Sequence, residues 1–145
     1  MKNRRWLFVL ILVAGLLGAC SGGTAGKSAI PTPDSGNTNV IGKVVSKQDG
    51  KPVVNTIIRL AEVYRQGDQG AYLLDEAFSP GAYSNDQGEF QILNIKASEY
   101  VLVIGDPKGT YEVVTGDDGK ARTWTATADQ TLDMGTVKVE YQVAK

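Results

Sequence analysis

Cys20 is the only cysteine in 145 residues, and the chain has no histidine. Those two facts remove most side-chain chemistry at once. Without imidazole there is no Ser-His-Asp or Cys-His catalysis, and no His-ligated zinc. One thiol closes no disulfide within the chain. Carboxylates, hydroxyls, lysines and tyrosines remain. Asp75 and Glu76 are adjacent on an expected strand, so they point to opposite faces rather than flanking one glycosidic bond. Asn85-Asp86-Gln87-Gly88-Glu89 crowds oxygen-bearing side chains as a calcium loop would, but lacks the longer EF-hand series. An Asn or Asp folding back on its own backbone, with Gly88 at positive φ, accounts for the same letters. Asp117-Asp118-Gly119 reads the same way. Catalytic residues: none are expected, nor any metal or cofactor. Exposed aromatic rings anchor ligands and partners. Tyr72 and Trp124, the latter between two threonines, are the candidate ligand-binding aromatics.

The surroundings of Cys20 give it a different chemistry. Lys2, Arg4 and Arg5 make a basic start, Trp6 to Leu17 are apolar apart from Gly15, and Gly18-Ala19 are small. That layout is a secretory signal peptide over 1–19. Those twelve residues make about 18 Å of helix, short of the roughly 30 Å needed to span a bilayer. Leu17-Gly18-Ala19-Cys20 resembles the lipobox of bacterial lipoproteins. The resemblance implies that the Cys20 sulfur takes a diacylglycerol, that cleavage falls before it, and that the mature protein begins there. Two or three acyl chains such as palmitate anchor stably where one alone is marginal. The expected location is therefore the outer face of a cell membrane, or an outer membrane, held through Cys20.

Lys2, Arg4 and Arg5 leave with the signal, so 12 of the 15 basic side chains remain against 16 acidic ones and the mature chain carries a formal −4. A nucleic-acid partner would want a basic stripe, and none is expected. Ser21 to Asn39, SGGTAGKSAIPTPDSGNTN, is rich in Gly, Ser, Thr and Pro. Such a run buries too little to offset the entropy of ordering it. Residues 20–39 therefore read as a flexible linker, and 40–145 as one domain.

In that domain the pattern is β nearly throughout. Val40–Val45, Thr56–Tyr64, Tyr72–Leu74, Phe90–Ile95, Tyr100–Ile104, Thr123–Thr125 and Val137–Tyr141 read as strands. Asp49-Gly50, Ser79-Pro80-Gly81, Asn85–Gly88 and Asp117–Gly119 read as turns. Phe90 and Ile92 share a face, with Leu93 and Ile95 opposite. Tyr100, Leu102 and Ile104 occupy one face of their strand and Val101 and Val103 the other, which predicts a central strand covered on both sides. No helical period of useful length comes after the signal.

Val40-x-Gly42-x-Val44, Gly50-Lys51-Pro52 and the run through Ile57-Ile58-Arg59-Leu60 resemble the opening of a carboxypeptidase regulatory-like domain. Asn85 to Ile95 followed by Tyr100-Val101-Leu102-Val103-Ile104 is similar to that family's central signature. Asp133-Met134-Gly135-Thr136-Val137-x-Val139 fits its close. Ala97-Ser98-Glu99 stands where the family has Pro-Gly before the tyrosine, and Tyr64–Tyr83 is longer than a minimal member needs. The resemblance implies an all-β fold, a single seven-stranded Greek-key β-sandwich of transthyretin-like type. It also implies an accessory module, not an enzyme. With the anchor, the expected role is a non-catalytic binding or scaffolding module for an envelope protein or glycan. The alternative is a carbohydrate-binding module of a surface polysaccharide system.

Overall fold

In the computed structural model, residues 29–75 and 77–141 are described. The expected signal peptide, Cys20 and the first part of the linker lie outside them. The described chain is all-β, with nine strands: β1 (Asn37–Ser46), β2 (Ile57–Gln66), β3 (Gln69–Leu73), β4 (Gly81–Tyr83), β5 (Glu89–Lys96), β6 (Glu99–Gly105), β7 (Tyr111–Val113), β8 (Thr123–Thr125) and β9 (Gln130–Val139). They form two sheets, β5-β1-β9 and β3-β2-β6-β7, with β4 also on β2 and β8 also on β6.

The nine strands fill the expected seven-stranded sandwich, and the registers give the reason. β3 and β4 pair with two different stretches of the same edge of β2. β7 and β8 likewise share one edge of β6. Nine strands thus fill seven lanes, three in one sheet and four in the other. The chain leaves one sheet for the other after β1, β4, β5 and β8, giving crossovers of the expected sandwich rather than a meander.

β6 explains the broken edges. Tyr100, Leu102 and Ile104 are buried in the main core with Val40, Val44, Ile58, Leu60, Phe90 and Val137. Val101 and Val103, on the other face, are also buried, in a second cluster with Ala61. Leu74 from the β3–β4 loop and Ala121 from the β7–β8 loop pack on that cluster. Each edge lane leaves the sheet in its middle so that its loop can cover apolar residues that would otherwise face water. The long Tyr64–Tyr83 segment is therefore structural in part. It is pinned to β2 where the Leu60 N–H donates to the Pro80 carbonyl at 2.8 Å.

Two local features depart from the sequence reading. Ile95 is in the main core with Phe90 and Ile92, not opposite them. Asn94 between them has φ 54°, and the β1–β5 register shifts there. A bulge adds one residue and reverses the alternation after it, and Asn tolerates the left-handed conformation better than most residues.

The other departure is the start of the domain. β1 begins at Asn37, and Thr38 and Asn39 are fully buried. The Asn39 amide is satisfied on both sides. Its Nδ2 donates to the Pro31 carbonyl at 2.7 Å, and its Oδ1 accepts from the Asn94 N–H at 2.9 Å. The Asn94 Oδ1 in turn accepts from the Asp34 N–H at 2.8 Å. Residues 31–39 are thus held to β1 and β5 rather than forming the last part of a linker.

Two outcomes are expected for stability. Leu102→Ala, at a fully buried site, should cost about 2–5 kcal/mol in denaturant-induced unfolding. Asn39→Ala strips partners from the Pro31 carbonyl and the Asn94 N–H. It should cost about 1–3 kcal/mol and speed amide exchange at Asp34 and Asn94, read by NMR.

Candidate functional site

The two ends of the sandwich differ in chemistry. The chain comes in at Pro31–Asn37, beside the β2–β3 hairpin, the β5–β6 turn and the β8–β9 loop. Ten residues of β1 carry it about 33 Å to the other end, where Ser46 lies beside Val139 of β9. At that far end a groove of about 560 Å³ opens between β7 and the residues after β1 and β9. Lys47, Thr110, Tyr111, Glu112, Glu140 and Tyr141 line it. Tyr111 is about half exposed, and Lys47 meets Glu140 at 3.6 Å. Gly105 lies against two of the lining residues, Thr110 and Tyr141. Its φ is +96°, and a Cβ there would collide with the Tyr141 ring and the Thr110 carbonyl. Only glycine lets that ring come so close to the end of β6.

The groove holds aromatic faces, carboxylates, a lysine and a threonine hydroxyl at one concave place. Such a volume suits a small ligand or one or two sugar units. Rings can stack on apolar C–H faces while carboxylates and Lys47 bond hydroxyls. Sequence reasoning does not single out Lys47, Tyr111, Glu140 or Tyr141 as a set. Three segments far apart in sequence supply the lining, so no local motif announces it.

The residues singled out from the sequence fall elsewhere. Trp124, expected to be partly exposed, is 9 % exposed and belongs to the main core. β8 pairs with β6 at Tyr100↔Trp124, so its ring takes the core face while Thr123 and Thr125 point outward. Arg122 stacks over it, 4.6 Å from the ring centroid. Tyr72 is exposed as expected, but sits on the β2–β3 hairpin opposite Val63, at the other end from the groove. The two candidates are not brought together. Asp75 lies in the turn after β3, not on a strand, and its Oδ1 accepts the Ala77 and Phe78 N–H groups at 2.8 and 3.2 Å. Asn85 Oδ1 accepts from the Gln87 and Glu89 N–H groups at 2.9 and 2.8 Å, with Gly88 at φ +76°. The Asp118 Oδ1 accepts from the Lys120 N–H at 3.0 Å. Both are backbone-closing turns.

The incoming end carries a set of ion pairs on the hairpin. Glu62 accepts from Lys96 Nζ at 2.7 Å, Ser98 Oγ at 2.8 Å and Tyr64 Oη at 3.1 Å. These donors, Lys96 foremost, hold its carboxyl below the ordinary glutamate value. Arg65 grips Glu99 with two bonds of 2.6 and 2.5 Å and lowers that carboxyl too. Burial, aided by Glu62 and Tyr64, pushes the Tyr100 phenol up to about 12. Its hydroxyl donates to the Lys96 carbonyl at 2.7 Å.

No protein-family model and no curated protein matches the chain. Fifteen chains of solved structure match it. A 9R-lipoxygenase from Cyanothece is 18 % identical with a TM-score of 0.43, covering 80 % of this chain, which spans 18 % of that enzyme. A carbohydrate-binding candidate from Pseudomonas aeruginosa is 14 % identical with a TM-score of 0.46, covering 74 % of this chain and 92 % of that one. The major pilin subunit of Bacillus cereus is 13 % identical with a TM-score of 0.43, covering 75 % of this chain and 30 % of that one. Scores this low transfer no function; the sandwich stands on its own strands.

Trp124→Ala should cost about 3–5 kcal/mol as a core deletion, while Tyr72→Ala should stay within about 0.5 kcal/mol, both by denaturant titration. The ion pairs fix a pH response. Glu62 and Glu99 have depressed folded pKa values, so their stabilisation is present above the ordinary 4.5 and fades as pH falls through the folded values. The Tyr100 pKa is raised, so stability falls as pH climbs from 10.0 toward about 12. Thermal unfolding against pH should bend down at both limits, and Glu62→Gln should flatten the acid side.

Proposed function

We propose that this is a lipid-anchored cell-envelope protein whose β-sandwich is a non-catalytic binding module with its ligand groove at the far end. One observation carries the reading: the chain comes in at one end of the domain and the groove opens at the other. An anchor at Cys20 would join the domain through the Gly/Ser/Thr-rich stretch before Pro31, at the end opposite the groove. The lipobox-like Leu17-Gly18-Ala19-Cys20 supports the anchor, and the lack of histidine supports binding over catalysis. The similarity to carboxypeptidase regulatory-like domains, accessory modules by habit, points the same way. The envelope side of a cell membrane or outer membrane is the location this reading requires.

The groove favours a glycan over a protein as ligand. Tyr111 and Tyr141 offer ring faces, and Glu112, Glu140 and Lys47 offer hydrogen-bonding groups around them. That mixture matches a sugar's apolar C–H faces and its rim of hydroxyls.

Labelled palmitate should enter the protein expressed in a bacterium and be lost in Cys20→Ser; label that persists in the variant rejects the anchor. On a glycan array, the full chain carrying Cys20→Ser should retain a subset of glycans. Tyr111→Ala should weaken that retention about tenfold or more, the loss of roughly 1.4 kcal/mol, while Tyr72→Ala should leave it unchanged. Silence across the array rejects the glycan and leaves a protein ligand to be sought.

A further inference from the structure

The first and last strands are neighbours, and they are parallel. β1 and β9 pair over eight residue positions, from Thr38↔Gln130 to Ser46↔Val139. The consequence is mechanical. The chain runs into β1 at one end of the domain and out of β9 at the other. Tension along the chain therefore draws β1 toward its start and β9 toward its finish. The two strands can part only by sliding past each other, with all their hydrogen bonds loaded together. Had the loaded ends emerged at the same end, the ladder would open one rung at a time.

Further ties resist the slide. At the incoming end, the Asp129 N–H donates to the Asn37 carbonyl at 2.7 Å, and the Gly36 N–H donates to Asp129 Oδ1 at 2.8 Å. Thr38 Oγ1 donates across to the Gln130 carbonyl at 2.8 Å. At the far end, the Lys47 N–H donates to the Val139 carbonyl at 2.7 Å. β1 is also held on its second edge by β5, from Asn37↔Lys96 to Lys43↔Glu89. Bulges interrupt both ladders, between Thr38 and Val40 against β5 and between Ile41 and Lys43 against β9. A slipped strand would meet each bulge out of place and carry Val40 and Val44 out of the core, so no neighbouring register can catch it.

We infer that the domain is a tension-bearing link, which carries pull along the chain from the segment before Asn37 to the segment after Val139 without unfolding. This goes beyond the binding role and does not depend on the lipid at Cys20.

Optical tweezers test it on the full chain carrying Cys20→Ser, with handles on introduced cysteines. Ser35→Cys with Lys145→Cys pulls the β1–β9 pair in shear. Ser35→Cys with Thr127→Cys pulls from one end and peels the same pair open; Gln48→Cys with Lys145→Cys does so from the other end. Solution unfolding of the three variants checks that each retains the fold, and either opening pair serves as the reference if the other does not. Because forced unfolding reads the unfolding barrier along the pulled direction, shear should rupture at a severalfold higher force than opening. Rupture in shear at a force no higher than in opening overturns the inference. Its failure would leave the palmitate and glycan results untouched.

Discussion

Strand β6 is apolar on both faces, and most of the architecture results from covering it. Tyr100, Leu102 and Ile104 require a second sheet on one side, which β1, β5 and β9 supply. Val101 and Val103 require cover on the other side, where the described residues form no third layer. The chain solves this by sacrificing edge pairing: two lanes break into β3/β4 and β7/β8, and their loops fold Leu74 and Ala121 over the exposed valines. The gain is removal of apolar area from water, against the loss of a few ladder bonds at strands that were edges in any case. Short, interrupted edges are also poor templates for pairing with another chain.

A second constraint gives the domain its polarity. A parallel first and last strand puts the incoming and outgoing chain at opposite ends. The two ends are then built differently. At the incoming end, a fully buried asparagine and paired charges fasten residues 31–39 and the hairpin. At the far end, Gly105 lets Tyr141 approach β6 closely beside a groove.

Much of this is legible in the letters. The turns at Asn85–Gly88 and Asp117–Gly119, the two-sided apolar pattern of β6 and the absence of helical periodicity place the chain among β-sandwiches. Each is local: a turn needs particular residues within four positions, and alternation needs only its own strand. The failures are equally specific. Strict alternation puts Ile95 on the wrong face because one residue in the left-handed conformation reverses every later side chain. Polar threonine neighbours make Trp124 look exposed, although in a strand that same alternation marks the middle residue as the buried one. Asn39 looks like linker because its letter is polar, while its partners lie eight and 55 residues away.

What the sequence determined by itself is what short-range physics controls: the chemistry barred by the lack of histidine and of a second cysteine, the signal-like start, the strands, the turns and the double-faced centre. The tertiary structure alone decided where those strands met. Pairing β1 with β9 in parallel, splitting the edge lanes, burying Asn39 and gathering Lys47, Tyr111, Glu140 and Tyr141 all join residues tens of positions apart. Such contacts depend on the whole packed core rather than on any local preference, and no stretch of the chain carries them alone.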